Sequence, residues 1–274
     1  INEGDEIIIP DMEFPANVYP WIHVANEKKA VVKYVHHKDG YLTSDDIINE
    51  VSERTKVISV SWVNATNGNK LDVRKLGDFC RKNNIYFVID AIQGLGTDDL
   101  NLMDVYADIV VSGFYKWLMG PDGLSFVYVS DRALRVMQAP WIGWAGMKDK
   151  FNYENIEYNP VKCAIRFETG NMNFSAITGV YEVLKQLYPL REEIYKRVTL
   201  LTKKLRDGLQ SIPNVKVVSP KKNISGITLF TGIEKNIYDD LHISVNYRSG
   251  IRVSPHFYNT EEEIDRFLNA TDSS

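Results

Sequence analysis

The chain predicts an α/β fold, a mostly parallel sheet sandwiched by helices, with a smaller α+β domain at its C-terminal end. Three observations carry that expectation. Strand-like and helix-like segments alternate through the first half of the chain. The strand-like segments are apolar throughout rather than at every second residue, as strands covered on both faces are. Near residue 174 the alternation stops, and a long amphipathic stretch followed by short strand-like pieces takes over.

The elements follow in order. "DEIIIPD" reads as a short buried strand ended by Pro10, and Glu3-Gly4-Asp5 ahead of it reads as a helix C-cap, so the chain is expected to lack its first segment. "ANVYPWIHVANEKK" reads as a helix and "AVVKYVH" as a strand. Thr43 or Ser44, followed by acidic residues and Ile47, Ile48 and Val51, marks a helix start. "KVISVSWV" is a strand, and "DVRKLGDFCRKNN" is a helix with Val73, Leu76, Phe79 and Cys80 on one face. "IYFVID" is a strand ending in an acid, "DLNLMDVYA" a short helix, and "DIVVSGF" a strand again. From Ser175 to Ile212 one amphipathic pattern breaks near Pro189. "VKVVS", "GITLFT" and "IRVSPHF" are strands, "IYDDLHI" a helix, and Glu261, Glu262 and Glu263 open a last helix where its dipole favours acids. The expected division is a large domain at 1–174 and a small one at 175–274.

The bulk properties exclude several classes. Among 274 residues, 44% are hydrophobic, 25% are charged, and the formal net charge is −4, so there is no basic footprint for nucleic acid. No apolar run approaches the length of a membrane span. Cys80 and Cys163 are isolated, which argues against a disulfide framework or a zinc site and fits a reducing cytoplasm. No His, Asp and Glu cluster supports a metal. Gly94-Leu95-Gly96-Thr97 lacks the third glycine of a dinucleotide fingerprint and reads as a turn.

Two residues carry the first chemical signal. Asp90 ends one apolar strand, and Lys116 lies just past the end of the next, in "VVSGFYKWLMGPDG". If a right-handed crossover makes those strands neighbours, a carboxylate and an amine meet on one rim of the sheet, where ligands of such sheets sit. A structural ion pair explains the two alone equally well. Gln93, three residues after Asp90, and the hydroxyls of Ser112 and Tyr115 tilt the balance toward a flat, anionic, nitrogen-containing ring.

"VIDAIQGLG", "SGFYKWLMGPDGLSFVYV", "RFETGNMNFSAITG" and "IRVSPHFYNTEEEID" together resemble the class V aminotransferase family, of fold type I. That family includes cysteine desulfurases, isopenicillin-N-epimerase-like proteins and kynureninase. The resemblance covers nearly the whole chain and implies a pyridoxal 5′-phosphate (PLP) enzyme. Lys116 would form the Schiff base with the cofactor aldehyde and shuttle protons at the substrate Cα, which requires a neutral amine. Asp90 would pair with the pyridine nitrogen, so that the cationic ring can accept electrons. Gln93 would donate to the ring 3-oxygen, and Phe14, in "DMEFPAN", would stack on the ring where relatives carry a His. Ser112 and Tyr115 would contribute to the phosphate site, whose principal loop in relatives lies ahead of Ile1. Asn171 matches a position that reaches the phosphate of a partner subunit, which implies a homodimer with shared sites. Arg252 would hold the α-carboxylate of a small amino-acid substrate through its planar fork, although as an isolated residue it reads as a surface Arg on an edge strand. Asn64, in "SWVNATNG", would face the substrate. Arg166 and Glu168 read as a supporting ion pair, and His256 as structural.

The reaction is narrowed by one absence. Desulfurases of this family carry a nucleophilic cysteine shortly before the carboxylate-binding Arg, and "ISVNYRSGIRVSP" has none. The expectation is therefore transamination or epimerisation. The alternatives are β-elimination of the cysteine desulfurase or selenocysteine lyase type, or a non-catalytic remnant acting as an interaction module.

Overall fold

The computed structural model describes residues 1–154, 156–233, 237–238 and 241–273. The first sheet is built from β1 (Glu6–Pro10), β2 (Val31–Val35), β3 (Thr55–Ser61), β4 (Tyr86–Asp90), β5 (Ile109–Gly113) and β6 (Ser125–Val129). Their order is β2-β1-β3-β4-β5-β6. All neighbouring pairs are parallel except β5 with β6, which is antiparallel. The C-terminal ends of β1, β3, β4 and β5 therefore share one rim, and the segments that follow them gather there.

Local sequence explains the elements. Ile7, Ile8 and Ile9 are fully buried, as a central strand requires. Helix α1 (Tyr19–Lys28) covers one face, where Ala25 packs with Ile7, Ile9, Val57 and Val88. On the other face lie α2 (Ser44–Asn49) and α3 (Val73–Lys82). Thr43 caps α2 in a reciprocal box with Asp46, and Asp72 caps α3 by accepting from the Lys75 N–H. Leu76 and Cys80 of α3 join Ile58, Phe87 and Ile89 in the main core.

The second sheet is antiparallel, in the order β7-β8-β10-β9. It comprises β7 (Lys216–Val217), β8 (Thr228–Thr231), β9 (Asn246–Tyr247) and β10 (Ile251–Val253). After the short α4 (Asp131–Leu134), helices α5 (Phe174–Leu187) and α6 (Arg191–Ser211) are separated by a tight turn at Tyr188–Leu190, the break expected at Pro189. Leu201, Leu205 and Leu209 of α6 pack with Phe230, Ile251 and, from α7 (Glu261–Asp272), Ile264 and Phe267. Earlier in α6, Ile194 and Val198 belong to the core of the first sheet.

Two expectations about elements fail, at "DLNLMDVYA" and at Val51. "DLNLMDVYA" is a series of turns, not a helix. The Asn101 side chain accepts from the Met103 N–H, and its carbonyl accepts from Asp104 and Val105. An Asn that bonds its own backbone in this way competes with helix extension. Helix α2 stops at Asn49, so Val51 lies beyond it. At the N-terminus Gly4 takes a φ of +81° in a turn entering β1, with its N–H on the Lys29 carbonyl. In "IYDDLHI", Asp239 and Asp240 lie outside the described residues, while Ile237 and Tyr238 form a turn.

Candidate active site

Asp90 ends β4, in register with Ser61 of β3 on one side and Val111 of β5 on the other. The chain then makes a helical turn: Gly94 and Leu95 both donate to the Ala91 carbonyl. That turn returns the Gln93 side chain, 3% exposed, to the same rim. Strand β5 ends at Gly113, and three residues later comes Lys116. A Cβ at Gly113 would lie 2.9 Å from the Tyr115 ring, so a side chain there would displace Tyr115 from its place beside the strand end.

The electrostatics of the pair follow from burial. Desolvation raises the Asp90 pKa against the Ile92 N–H and the Lys116 amine, both of which lower it. Desolvation lowers the Lys116 pKa, Asp90 raises it, and Arg252 and Arg248 lower it further. Asp90 and Lys116 are not in ion-pair contact: Asp90 Oδ1 accepts from the Ile92 N–H at 3.0 Å, and the Lys116 amine rests 5.7 Å from the Tyr115 ring centroid. Asp90 Oδ2 and the Lys116 amine have no hydrogen-bond partner among the described residues. Gln93 Oε1 accepts from Trp117 Nε1 at 3.2 Å, which leaves its amide N–H groups to donate elsewhere. An unengaged carboxylate oxygen, an unpaired amine and a free amide donor at one rim fit the nitrogen, aldehyde and ring oxygen of PLP.

The other predicted residues fall into two groups. Arg252 reaches the site: it sits on β10, between β8 and β9 rather than on an edge, and burial and Arg248 lower its pKa. Its Nε donates to Ser254 Oγ at 3.3 Å. Ser112, 4% exposed, shares a cavity of about 280 Å³ with Asp90, Ile92 and Phe126, and its hydroxyl donates to the Gly113 carbonyl. Phe14 and Tyr115 are partly exposed, at 43% and 46%. Asn171 lies in the exposed segment ahead of α5. Asn64 spends its amide on its own surroundings: Nδ2 donates to the Met12 carbonyl, and Oδ1 accepts from Thr66 and Asn67. Arg166 does not pair with Glu168; it donates to the carbonyls of Leu134 and Met137, closing the turn after α4.

Sequence reasoning missed two groups here. Glu13 is half-buried, within electrostatic reach of Asp90, and accepts from the Ser61 N–H, the Ser61 hydroxyl and Asn17 Nδ2. Burial raises its pKa, and Asp90 adds to the rise. Polar Glu13, Asn17 and Ser61 at the ends of apolar segments were its signal. Arg248 contributes positive potential at Lys116, brought there by the tight link between β9 and β10.

Residues 1–244 match the family model described as aminotransferase class-V. A probable cysteine desulfurase of Borreliella burgdorferi is 26% identical over 96% of this chain and 68% of that protein. One of Halobacterium salinarum is 23% identical over 100% of this chain and 71% of its own length. Among solved structures, the apo cysteine desulfurase of Thermococcus onnurineus NA1 superposes with a TM-score of 0.91 at 23% identity, covering 100% of this chain and 73% of that one. The cystine C-S lyase C-DES in complex with its product cysteine persulfide gives 0.90 at 19%, covering 99% and 76%. The two-sheet architecture, the rim that joins Asp90 to Lys116 and the family match converge: this chain belongs to the aminotransferase class-V family, whose cofactor is pyridoxal phosphate.

Proposed function

We propose that the protein is a PLP-dependent lyase that breaks the Cβ–S bond of a small sulfur-containing amino acid by elimination. The observation that carries this reading is Lys116 within electrostatic reach of Asp90 and Arg252, an amine that burial and Arg252 press toward its neutral form near an acid and a carboxylate-binding fork. PLP supplies the electron sink when bound. When the cofactor is bound, Asp90 would hold its ring nitrogen, Gln93 would donate to its ring oxygen, Phe14 would stack on it, and Ser112 and Tyr115 would serve its phosphate. Arg252 holds the substrate carboxylate, and Asn64 shapes the adjoining loop. The neutral Lys116 amine takes the Cα proton, the Cβ–S bond breaks, and its electron pair leaves with sulfur. After hydrolysis the carbon product is pyruvate and the nitrogen leaves as ammonia.

Elimination is favoured over transfer of sulfur to the protein by where the two cysteines sit. Cys80 is fully buried on α3, and burial pushes its thiol up to about 12. Cys163 is exposed ahead of the turn at Ala164–Phe167, outside the segments that carry Asp90, Lys116 and Arg252. The relatives named as cysteine desulfurases and the C-S lyase likeness favour sulfur chemistry. The transamination or epimerisation expected from sequence draws support from the family alone. A non-catalytic remnant has no need of Asp90, Gln93, Lys116 and Arg252 together.

The assay loads the chain with PLP and offers cysteine, cystine and a panel of other amino acids. Yellow colour lost in Lys116→Ala, with pyruvate and sulfide or persulfide formed from cysteine or cystine, is the expected result. Alanine in place of pyruvate overturns elimination, and keto acids from the other amino acids restore transamination. The division into 1–174 and 175–274 belongs to this proposal, supported by the second core around Leu205. So does a homodimer with shared sites, supported by the exposed Trp141, Phe151, Tyr153 and Ile156 and by Asn171 nearby in sequence. A cytoplasmic setting is proposed from the two unpaired cysteines. No helix among the described residues is long and apolar enough to cross a membrane.

A further inference from the structure

We propose that Trp117 is a positioning residue for Gln93, and that it ties the orientation of the Gln93 amide to the docking of the C-terminal half of the chain. The inference rests on the cofactor placement above. An indole N–H can only donate. The Gln93 atom facing Trp117 Nε1 at 3.2 Å must therefore be the oxygen, and the NH₂ must face the other way. Both side chains are buried, at 3% and 5% exposure, so no water competes for this choice. A Gln93 without that donor is free to turn its amide over, presenting oxygen instead of N–H to an anionic ring oxygen.

Trp117 itself is clamped from both halves of the molecule. On the large-sheet side, a Cβ at Gly96 would lie 2.8 Å from Trp117 Cβ. From the C-terminal half, a Cβ at Gly226 would lie 2.8 Å from Cη2, and Val198 of α6 shares the same core. The His256 ring stacks on the indole at 5.1 Å between centroids and 26° between planes. His256 Nδ1 accepts from the Phe257 N–H, so its proton is on Nε2. That nitrogen is buried and directed at the Trp117 backbone, outside good hydrogen-bond geometry. The residue after Lys116 is thus held by three contacts from beyond residue 190, and its one polar atom is committed to Gln93.

The test is a pH titration of the visible absorbance of the PLP-loaded protein. A donor on the ring oxygen stabilises that oxygen as an anion and loosens the neighbouring imine proton. Gln93→Ala is expected to move the midpoint up by roughly one pH unit, the size of a hydrogen bond to a charged group. Trp117→Phe, which keeps an aromatic ring but no N–H, is expected to move it the same way. The double variant is expected to add nothing to Gln93→Ala. Replacing Trp117 with benzothienylalanine, the same bicycle with sulfur for N–H, gives the same readout if Trp117→Phe folds poorly. A Trp117 variant that only lowers Tm and leaves the midpoint in place, while Gln93→Ala moves it, overturns this inference and spares the cofactor reading. If Gln93→Ala also leaves the midpoint in place, Gln93 does not face the ring oxygen and the inference falls with it. A wild-type chain that never takes up colour sinks the cofactor reading itself.

Discussion

Asp90 and Lys116 are displaced in opposite directions by one cause: both lose water, and each moves toward its neutral form. For Lys116 that is the form in which it acts as a nucleophile and base. His256 shows the same physics with a measurable consequence. Burial pushes its pKa down to about 4 from 6.5. Between those values the unfolded chain takes a proton that the folded chain refuses, so stability is full above about pH 6.5 and is lost as pH falls toward 4. Tm is expected to fall across that window, and the fall is expected to be shallower in His256→Phe, which retains a stacking ring. A scan of Tm against pH checks it; equal slopes for the two proteins contradict it. At this scale Asp90, Gln93 and Lys116 were legible because each follows an apolar strand at a fixed short interval. Glu13 and Arg248 were not, because their partners lie 48 residues away at Ser61 and across two sheets at Lys116.

Among the elements, the caps were the most legible, since a cap is written within four residues. The Thr260 hydroxyl accepts from the Glu263 N–H at 3.1 Å, and Glu263 Oε2 accepts from the Thr260 N–H at 2.9 Å. This box starts α7, whose Ile264 and Phe267 close the second core. Thr260→Ala is expected to cost about 1 kcal/mol, read as a lowered urea midpoint at unchanged slope. The same local logic failed at "DLNLMDVYA", where an apolar pattern of helical spacing lost to an Asn bonding its own backbone. The link from β4 to β5 is consequently irregular, yet the strands are parallel neighbours as expected.

Over the whole molecule, α6 joins the two cores, and one buried arginine fastens it. Arg206, 4% exposed, donates to Thr228 Oγ1 and to the carbonyls of Pro220 and Ile227. Burial lowers its pKa to about 10. Arg206→Leu leaves three buried oxygens without that donor and is expected to cost about 3 kcal/mol or more in chemical denaturation. A loss within the range of an ordinary surface substitution contradicts this role. By itself the sequence determined the class of fold, most of the strands, the caps at Thr43 and Thr260, and the residues that end the strands, because each depends on neighbours a few positions away. Tertiary structure alone decided that Arg252 lies on an inner strand within electrostatic reach of Lys116, that Arg166 serves backbone carbonyls rather than Glu168, and that Trp117 bonds Gln93 beneath His256. Those contacts join residues 24 to 139 positions apart, and no local preference encodes which distant groups will share a desolvated space.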